Sequence, residues 1–136
     1  MAESEKKSYT ICLLDDDRFL IDMYALKFRS LGHTVTPNAS GKELLSFLKE
    51  HPQQDAILLD VVMPDMTGFD VLEAIRKENL APGAVVIMLT NQGSDADLDR
   101  ARELGANGYI IKASSIPSEV VARTTEVIEK HKAPAV

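Results

Sequence analysis

The feature that most constrains the fold is a short apolar segment, residues 57–64, with the sequence ILLDVVMP. A single carboxylate, Asp60, interrupts its apolar run. Such a run is typical of a strand buried on both faces, as in a parallel sheet covered by helices on each side. Asp60 falls where this strand would end, and a carboxylate with apolar neighbours is costly unless a cation or a hydrogen-bond donor meets it. The rest of the chain is therefore expected to bring partners to Asp60.

Four further runs read as strands, and helical patterns separate them. The five predicted strands are Tyr9–Leu14, Thr34–Asn38, Asp55–Asp60, Ala84–Thr90 and Tyr109–Lys112. Proline cannot donate a hydrogen bond to a ladder, so Pro37 places the second strand at an edge of the sheet. Strands that alternate with helices predict an α/β fold, in which helices cover both faces of one doubly wound parallel sheet.

Periodic apolar residues and end signals predict the five helices. The first has the apolar face Leu20, Met23, Tyr24, Phe28 and Leu31, and it ends at Gly32. The second opens with a capping box at Ser40–Glu43 and buries Leu44, Leu45 and Leu48. The third buries Val71, Leu72 and Ile75. The fourth, strongly charged, runs from an N-cap at Ser94 to about Leu104, and the fifth runs from Pro117 to Lys130 with Val120, Val121, Val127 and Ile128 apolar.

Length and charge narrow the classes of function. A chain of 136 residues fits one domain with a core of its own. Its 21 acidic and 15 basic side chains give a net charge of −6, which disfavours nonspecific binding to nucleic acid or to anionic membranes. No apolar run approaches the length of a membrane span, and the first residues lack the apolar region of a signal peptide. The single cysteine, Cys12, is expected to be a buried apolar residue in a protein of the reducing cytoplasm.

The strand ends predict a site. All strands of a parallel sheet point the same way, so their carboxyl ends share one edge, where α/β proteins bind ligands. This places together Asp15 and Asp16 after the first strand, Asp60, Thr90 and Lys112. Each has a simpler role when taken singly, as a helix-start acid, a loop acid, a strand former or a surface lysine. Their coincidence at four strand ends favours a shared site.

The chemistry of these residue types indicates a metal. Three carboxylates in one cleft repel one another, and a divalent cation relieves that repulsion. Carboxylate oxygens suit Mg²⁺, whereas zinc and copper prefer the histidine and cysteine ligands that this edge lacks. A cation, a lysine and a hydroxyl around one carboxylate are the parts needed for phosphoryl transfer to that carboxylate, with Asp60 as the nucleophile.

Four motifs resemble the receiver domain of two-component response regulators, including the stand-alone chemotaxis type. They are LLDDD at 13–17, LLDVVMPDMTGFDVL at 58–72, MLT at 88–90 and GANGYIIK at 105–112. The resemblance covers nearly the whole chain and implies a flavodoxin-like (βα)5 fold with strand order 2-1-3-4-5. We expect a disordered segment at residues 1–7, the receiver domain at 8–131 and a tail or linker stub at 132–136.

The resemblance also implies the roles of the site residues. Asp60 would accept a phosphoryl group from the phosphohistidine of a sensor histidine kinase or a histidine phosphotransfer protein. Asp15, Asp16, Asp60 and the backbone carbonyl of Val62 would hold Mg²⁺. Lys112 would bind the phosphoryl group. Self-catalysed phosphoryl transfer and autodephosphorylation are the only catalysis implied, so the chain is not expected to be an enzyme of another class.

The resemblance further implies that phosphorylation changes a surface of the domain to which a partner binds. Thr90 would be the switch hydroxyl that turns toward the phosphoryl group, and Tyr109 would be the switch aromatic that moves with it. The face formed by the fourth helix, the fifth strand and the fifth helix would then bind a downstream effector protein or a second copy of the chain. Binding of nucleic acid by this domain alone, or of a membrane, is not expected.

Two departures from the family pattern concern rates and backbone geometry. Asn91 follows Thr90 where a small residue is common, and with Val62 and Gln92 it is expected to tune the phosphoryl lifetime. Ala113 follows Lys112 where the family has a proline, often after a cis peptide bond; without proline such a bond costs about 2.5–4 kcal/mol.

Other functions remain open on the sequence alone. An aspartyl-nucleophile phosphatase of the haloacid dehalogenase type would need a second aspartate two residues after the nucleophile, where Val62 stands. A nucleotide- or flavin-binding domain would need a glycine-rich phosphate loop, and neither common form follows the first strand. A receiver-like interaction module that works without phosphorylation is the third alternative, and the intact acidic set argues against it.

Overall fold

The computed structural model describes residues 8–63, 66–91, 94–112 and 115–132. Five strands and five helices alternate along them. The strands are β1 (Thr10–Leu14), β2 (Thr34–Asn38), β3 (Ala56–Asp60), β4 (Val85–Thr90) and β5 (Gly108–Ile111). The helices are α1 (Arg18–Ser30), α2 (Gly41–Glu50), α3 (Gly68–Lys77), α4 (Asp95–Glu103) and α5 (Pro117–Lys132). Every predicted element is present, so the α/β prediction is confirmed.

The sheet sets the position of the site. Its strand order is β2-β1-β3-β4-β5, as predicted, and all neighbouring strands are parallel. Pro37 lies on the edge strand β2, where its missing donor is tolerated. The register pairs Leu14 with Leu59, so the residues that follow, Asp15 and Asp60, stand side by side at the carboxyl edge.

Alternating side chains of the strands divide the core into two layers. In β1, Ile11 and Leu13 point to the layer covered by α1 and α5. Cys12 and Leu14 point to the opposite layer, covered by α2, α3 and α4. Because β3 and β4 are likewise buried on both faces, their sequences are continuous apolar runs instead of alternating patterns.

Helix α1 is rotated relative to the sequence prediction. Its buried residues are Ile21, Tyr24, Ala25 and Phe28. Leu31, which we expected in the core, is 47% exposed because the helix ends one residue before it. Leu20 and Met23 are only partly buried. Gly32 ends the helix as predicted, with φ +93°, a left-handed conformation that favours glycine.

The other core faces and helix starts largely follow the predictions. The predicted residues that are buried are Leu44, Leu48, Val71, Leu72, Ile75, Val120, Val121 and Ile128. Leu45 and Val127 are only partly buried. Ser94 caps α4 by accepting a hydrogen bond from the Asp97 N–H at 3.1 Å.

The capping prediction at α2 is half correct. Ser40 accepts a hydrogen bond from the Glu43 N–H at 3.1 Å, but the Glu43 carboxylate accepts the N–H of Ala39, not that of Ser40. A reciprocal capping box occurs instead at α3, between Thr67 and Asp70. This box fixes the first turn of α3 directly after the loop that follows β3.

Several predictions fall on residues outside the described part of the chain. They are the disordered segment 1–7, the rate-tuning role of Gln92, the geometry at Ala113 and the tail beyond residue 132. Among the described residues, none of the helices has both the length and the apolar character of a membrane span.

A buried histidine lies at the amino end of β1. The Nδ1 atom of His33 accepts a hydrogen bond from the Tyr9 N–H at 3.0 Å, so the proton of the neutral ring lies on Nε2. The ring stacks on Tyr9 with centroids 5.6 Å apart and meets Phe28 edge-on at 6.0 Å. Burial lowers the pKa of His33 below its ordinary value. Protonation would replace an acceptor by a donor facing the Tyr9 N–H.

We predict that His33 makes the fold sensitive to acid. A pKa that is lower in the folded than in the unfolded chain means that stability is present above the unfolded value of about 6.5 and is lost as pH falls below it. The His33→Gln variant keeps an acceptor oxygen but does not titrate. Lowering the pH from 7.5 to 5 should therefore reduce the unfolding free energy of the parent more than that of the variant. Urea unfolding at a series of pH values measures it, and parallel curves would contradict the prediction.

Candidate functional site

Three carboxylates meet at the carboxyl edge of the sheet. One oxygen each of Asp15, Asp16 and Asp60 lies within 4.8 Å of the others. Asp15 and Asp16 follow β1, and Asp60 is the last residue of β3. Asp15 and Asp60 are buried, whereas Asp16 is exposed. The strand ends therefore bring together the acids that the sequence analysis grouped.

Lys112 joins two of these acids. It directly follows β5, one residue beyond the strand in which we placed it. Its Nζ lies 2.9 Å from Oδ2 of Asp15 and 3.2 Å from Oδ1 of Asp60, and its side chain is 6% exposed. The second oxygen of Asp15 accepts a hydrogen bond from the Asp17 N–H at 2.9 Å. Asp15 is thus held from both sides, while Asp17 also caps α1.

The surroundings favour the neutral form of Asp60. Burial and, next, the negative charge of Asp15 raise the pKa of Asp60 to about 6, although Lys112 acts in the opposite direction. Burial would lower the pKa of Lys112, but its contacts with Asp15 and Asp60 outweigh burial, so the net shift is upward. The single ammonium group does not balance the acids around it.

Asp60 is also fixed through its backbone, by a residue whose role the sequence analysis missed. A Cβ atom at Gly68 would collide with the carbonyl oxygen of Asp60. The Gly68 N–H donates to the carbonyl oxygen of Val61 at 2.9 Å. A glycine eight residues after Asp60, at the start of a helix, was the available signal. It allows α3 to begin against the end of β3.

A second missed residue lies under the acids. Tyr24 of α1 is 2% exposed. Burial raises the pKa of its hydroxyl, and the charges of Lys112 and Asp15 also act on it. The sequence marked Tyr24 as a core residue, but only the packing of α1 on the sheet brings it near the charged groups.

Thr90 and Tyr109 occupy the neighbouring strand ends. Thr90, the last residue of β4, is buried, and Tyr109 lies on β5 opposite Met88. Burial and, next, Asp97 raise the pKa of Tyr109, whereas Thr90 lowers it. The Tyr109 hydroxyl is buried and has no hydrogen bond of good geometry among the described residues. The two predicted switch residues are therefore neighbours.

The predicted rate-tuning residues lie at the rim. Val62 is 72% exposed, and Asn91, directly after Thr90, is also exposed. A cleft of about 290 Å³ adjoins the acids and extends toward the end of β2, where Asn38 and Ala39 line it. Solvent and ligands can therefore reach the acids from this side.

The donor set of the cluster fits a hard cation. All three groups are carboxylates, and no histidine or cysteine belongs to this cluster. Oxygen-only donors with one exposed side suit Mg²⁺, which keeps several waters, and do not suit zinc or copper. Burial and the neighbouring acids raise the pKa of Asp60, and the excess of negative charge gives such a cation a favourable place.

Comparison with known proteins supports one family. The family model described as the response regulator receiver domain matches residues 11–124. The chain is 33% identical to the regulatory protein VanRc of Enterococcus gallinarum over 125 residues, covering 92% of this chain and 52% of that protein. It is also 33% identical to the probable transcriptional regulatory protein TcrX of Mycobacterium tuberculosis, covering 96% of this chain and 54% of that protein. The chain thus spans about half the length of the curated relatives it matches.

A solved structure agrees with these relatives. The chemotaxis protein CheY4 of Vibrio cholerae superposes with a TM-score of 0.82 at 26% sequence identity, covering 89% of this chain and 99% of that one. The role of the family is that of a phosphorylation-activated switch in two-component signalling, not of a classical enzyme, and it binds Mg²⁺ at an acidic pocket. The chain belongs to the receiver domain family of two-component response regulators.

Proposed function

We propose that Asp60 is the phosphoryl acceptor of this chain, and that its donor is a sensor histidine kinase or a histidine phosphotransfer protein. The observation that carries the proposal is the contact of Asp60 with Lys112 inside a cluster of three carboxylates. Two further acids would destabilise an acid whose role is only structural. Beside a phosphoryl acceptor they are useful, because they can hold the cation that assists the transfer.

The transfer is a displacement at phosphorus. A carboxylate oxygen of Asp60 attacks the phosphorus, and the bond from phosphorus to the donor nitrogen breaks. Its electron pair leaves with the imidazole of the donor, and an acyl phosphate forms on Asp60. Lys112, whose Nζ lies 3.2 Å from the attacking carboxylate, would bind an oxygen of the transferred group. Water later cleaves the acyl phosphate and restores the carboxylate.

Mg²⁺ is the proposed cofactor. Asp15, Asp16, Asp60 and the backbone carbonyl of Val62 would hold it. When bound, it supplies positive charge that offsets the charge on the phosphoryl oxygens. The residues of the chain would contribute the rest: Asp15 would orient Lys112, and Thr90, at the end of β4, would donate its hydroxyl to the new phosphoryl group.

We propose that phosphorylation is signalled to a partner through the surface formed by α4, β5 and α5. Helix α4 buries only Ala101 fully, so it is loosely packed. It contacts α3 where the guanidinium of Arg100 lies 5.0 Å above the ring of Phe69. Phe69 directly follows Gly68, which packs on Asp60, so the acceptor and α4 are linked through the first turn of α3. The proposed partner on this face is an effector protein or a second copy of the chain, in the cytoplasm.

The first prediction concerns the acceptor. The chain, incubated with Mg²⁺ and acetyl phosphate or phosphoramidate, should gain the mass of one phosphoryl group, and Asp60→Asn should abolish the gain. Intact-mass spectrometry measures both. Glu73→Gln removes an exposed acid of α3, away from the cleft, and should behave as the parent does. A chain that gains no mass from either donor would instead support an interaction module that works without phosphorylation.

The second prediction concerns the charge of the site. Because the pKa of Asp60 is raised to about 6, its carboxylate costs stability above that pH, and protonation removes the cost as pH falls toward 4. Without divalent metal at pH 7.5, Asp60→Asn should raise the unfolding free energy by about 1–3 kcal/mol. Lys112 keeps Asp15 as its partner in this variant.

The test is denaturant unfolding of the parent and Asp60→Asn with and without Mg²⁺. The gain should shrink as pH falls below about 6. Saturating Mg²⁺ should stabilise the parent more than the variant. Glu73→Gln, which removes the same charge from the exposed side of α3, should change the unfolding free energy by less than about 0.5 kcal/mol. A metal-free parent more stable than Asp60→Asn at pH 7.5 would contradict the charge argument.

The third prediction concerns the lifetime of the phosphoryl group. The amide of Asn91, beside Thr90 at the rim, should hinder the approach of water. Asn91→Ala should shorten the lifetime roughly twofold or more, a change of about 0.4 kcal/mol in the barrier. Loss of the added mass with time, after the donor has been removed, gives both lifetimes. Equal lifetimes would exclude a role for Asn91 in hydrolysis.

A further inference from the structure

A groove beside α2 lies outside the site described so far. It encloses about 700 Å³, against about 290 Å³ for the cleft at the acids. Its lining residues are Ser40, Gly41, Lys42, Leu45, Ser46, Lys49 and Met66. The exposed surface inside it is mostly apolar. A space of this size and character can receive several side chains of a partner.

Charge and apolar surface alternate along the groove. Lys42, Leu45, Ser46 and Lys49 occupy one face of α2, because residues three and four positions apart are neighbours on a helix. The two lysines are seven residues apart, which corresponds to about 10 Å along the helix axis. Leu45 lies between them, and Met66, from the loop before α3, forms the facing apolar wall. Both apolar side chains are partly buried.

The positive charges are accessible to an incoming group. Lys42 is exposed, and the Lys49 side chain is 61% exposed. Lys49 lies 3.8 Å from a carboxylate oxygen of Glu78, whose side chain is 50% exposed. Ion pairs as exposed as this one contribute little, so a partner carboxylate can compete with Glu78. The chain as a whole is acidic, with net charge −6, so the two lysines around the apolar groove form a local positive patch.

We propose that this groove binds an amphipathic acidic helix of a partner protein. Such a helix would place two carboxylates, two turns apart, against Lys42 and Lys49. Apolar side chains between them would fill the space between Leu45 and Met66. The two lysines are too few for a nucleic acid, whose binding depends on neutralising many phosphates. The proposal goes beyond phosphorylation of Asp60 and adds a second docking surface.

A designed peptide tests the proposal directly. The probe is an acetylated, amidated helix of about 20 residues with two glutamates two turns apart and leucines between them on the same face. In a ¹⁵N NMR titration of the full chain, it should cause saturable shifts concentrated at α2 and Met66. The Lys42→Glu/Lys49→Glu variant should bind at least tenfold more weakly, which is about 1.4 kcal/mol.

Two controls decide between charge matching and nonspecific attraction. Lys27→Glu/Lys130→Glu changes the net charge equally but lies on α1 and α5, on the other face of the sheet, and should bind as the parent does. A peptide with glutamine in place of both glutamates should lose the same tenfold or more. Undiminished binding by the groove variant, or no saturable shift at about 1 mM peptide, would overturn the proposal. So would binding to anionic phosphatidylglycerol vesicles without binding to the peptide, because the groove would then be a membrane contact.

Discussion

The arrangement of the site depends on one lysine that holds two buried carboxylates. Asp15 and Asp60 are adjacent because their strands are paired neighbours in the sheet. Lys112 comes from β5, and β4 lies between β5 and β3. Its side chain must therefore pass the end of β4, where Thr90 stands, to reach the acids. The ammonium group meets both carboxylates, at 2.9 and 3.2 Å, but one positive charge cannot neutralise three negative ones. The remaining repulsion, together with burial, keeps the pKa of Asp60 raised and makes the edge receptive to a cation.

The sequence patterns were sufficient for the strands and the composition of the edge, whereas the strand order was implied by the family resemblance. A strand buried on both faces has an unbroken apolar run, and such runs are hard to confuse with surface segments. Parallel strands have their carboxyl ends at one edge, so Asp15, Asp60 and Lys112 could be grouped before their distances were known. Pro37 marked the edge strand because of a missing donor, which is a local property. These predictions needed no information about how helices rotate or how side chains meet.

The features that the sequence analysis misplaced or missed depend on tertiary packing. The rotation of α1 that buries Ile21 and Ala25, and exposes Leu31, is set by contact with the sheet and α5, since apolar residues occur on more than one side of this helix. The close approach of Gly68 to Asp60 depends on where α3 starts relative to β3. The pairing of Lys112 with Asp15 as well as Asp60 requires the twist and register of four strands. A single sequence contains these facts only through the complete fold.

The distribution of burial explains how a rigid domain can transmit a local chemical change. Strands β3 and β4 are buried throughout, so they fix the backbone of Asp60 and Thr90 in place. Helix α4 fully buries one residue, and the buried Tyr109 hydroxyl beside it lacks a good hydrogen bond among the described residues. Thr90 is its neighbour, and a contact without good hydrogen-bond geometry leaves part of the cost of burying this hydroxyl uncompensated. In the proposed switch, new negative charge at the strand ends would act first on Thr90, which is next to Tyr109. Under the proposed switch, rearranging α4 and Tyr109 would disturb little of the core, so the response would be directed to the α4 side of the molecule.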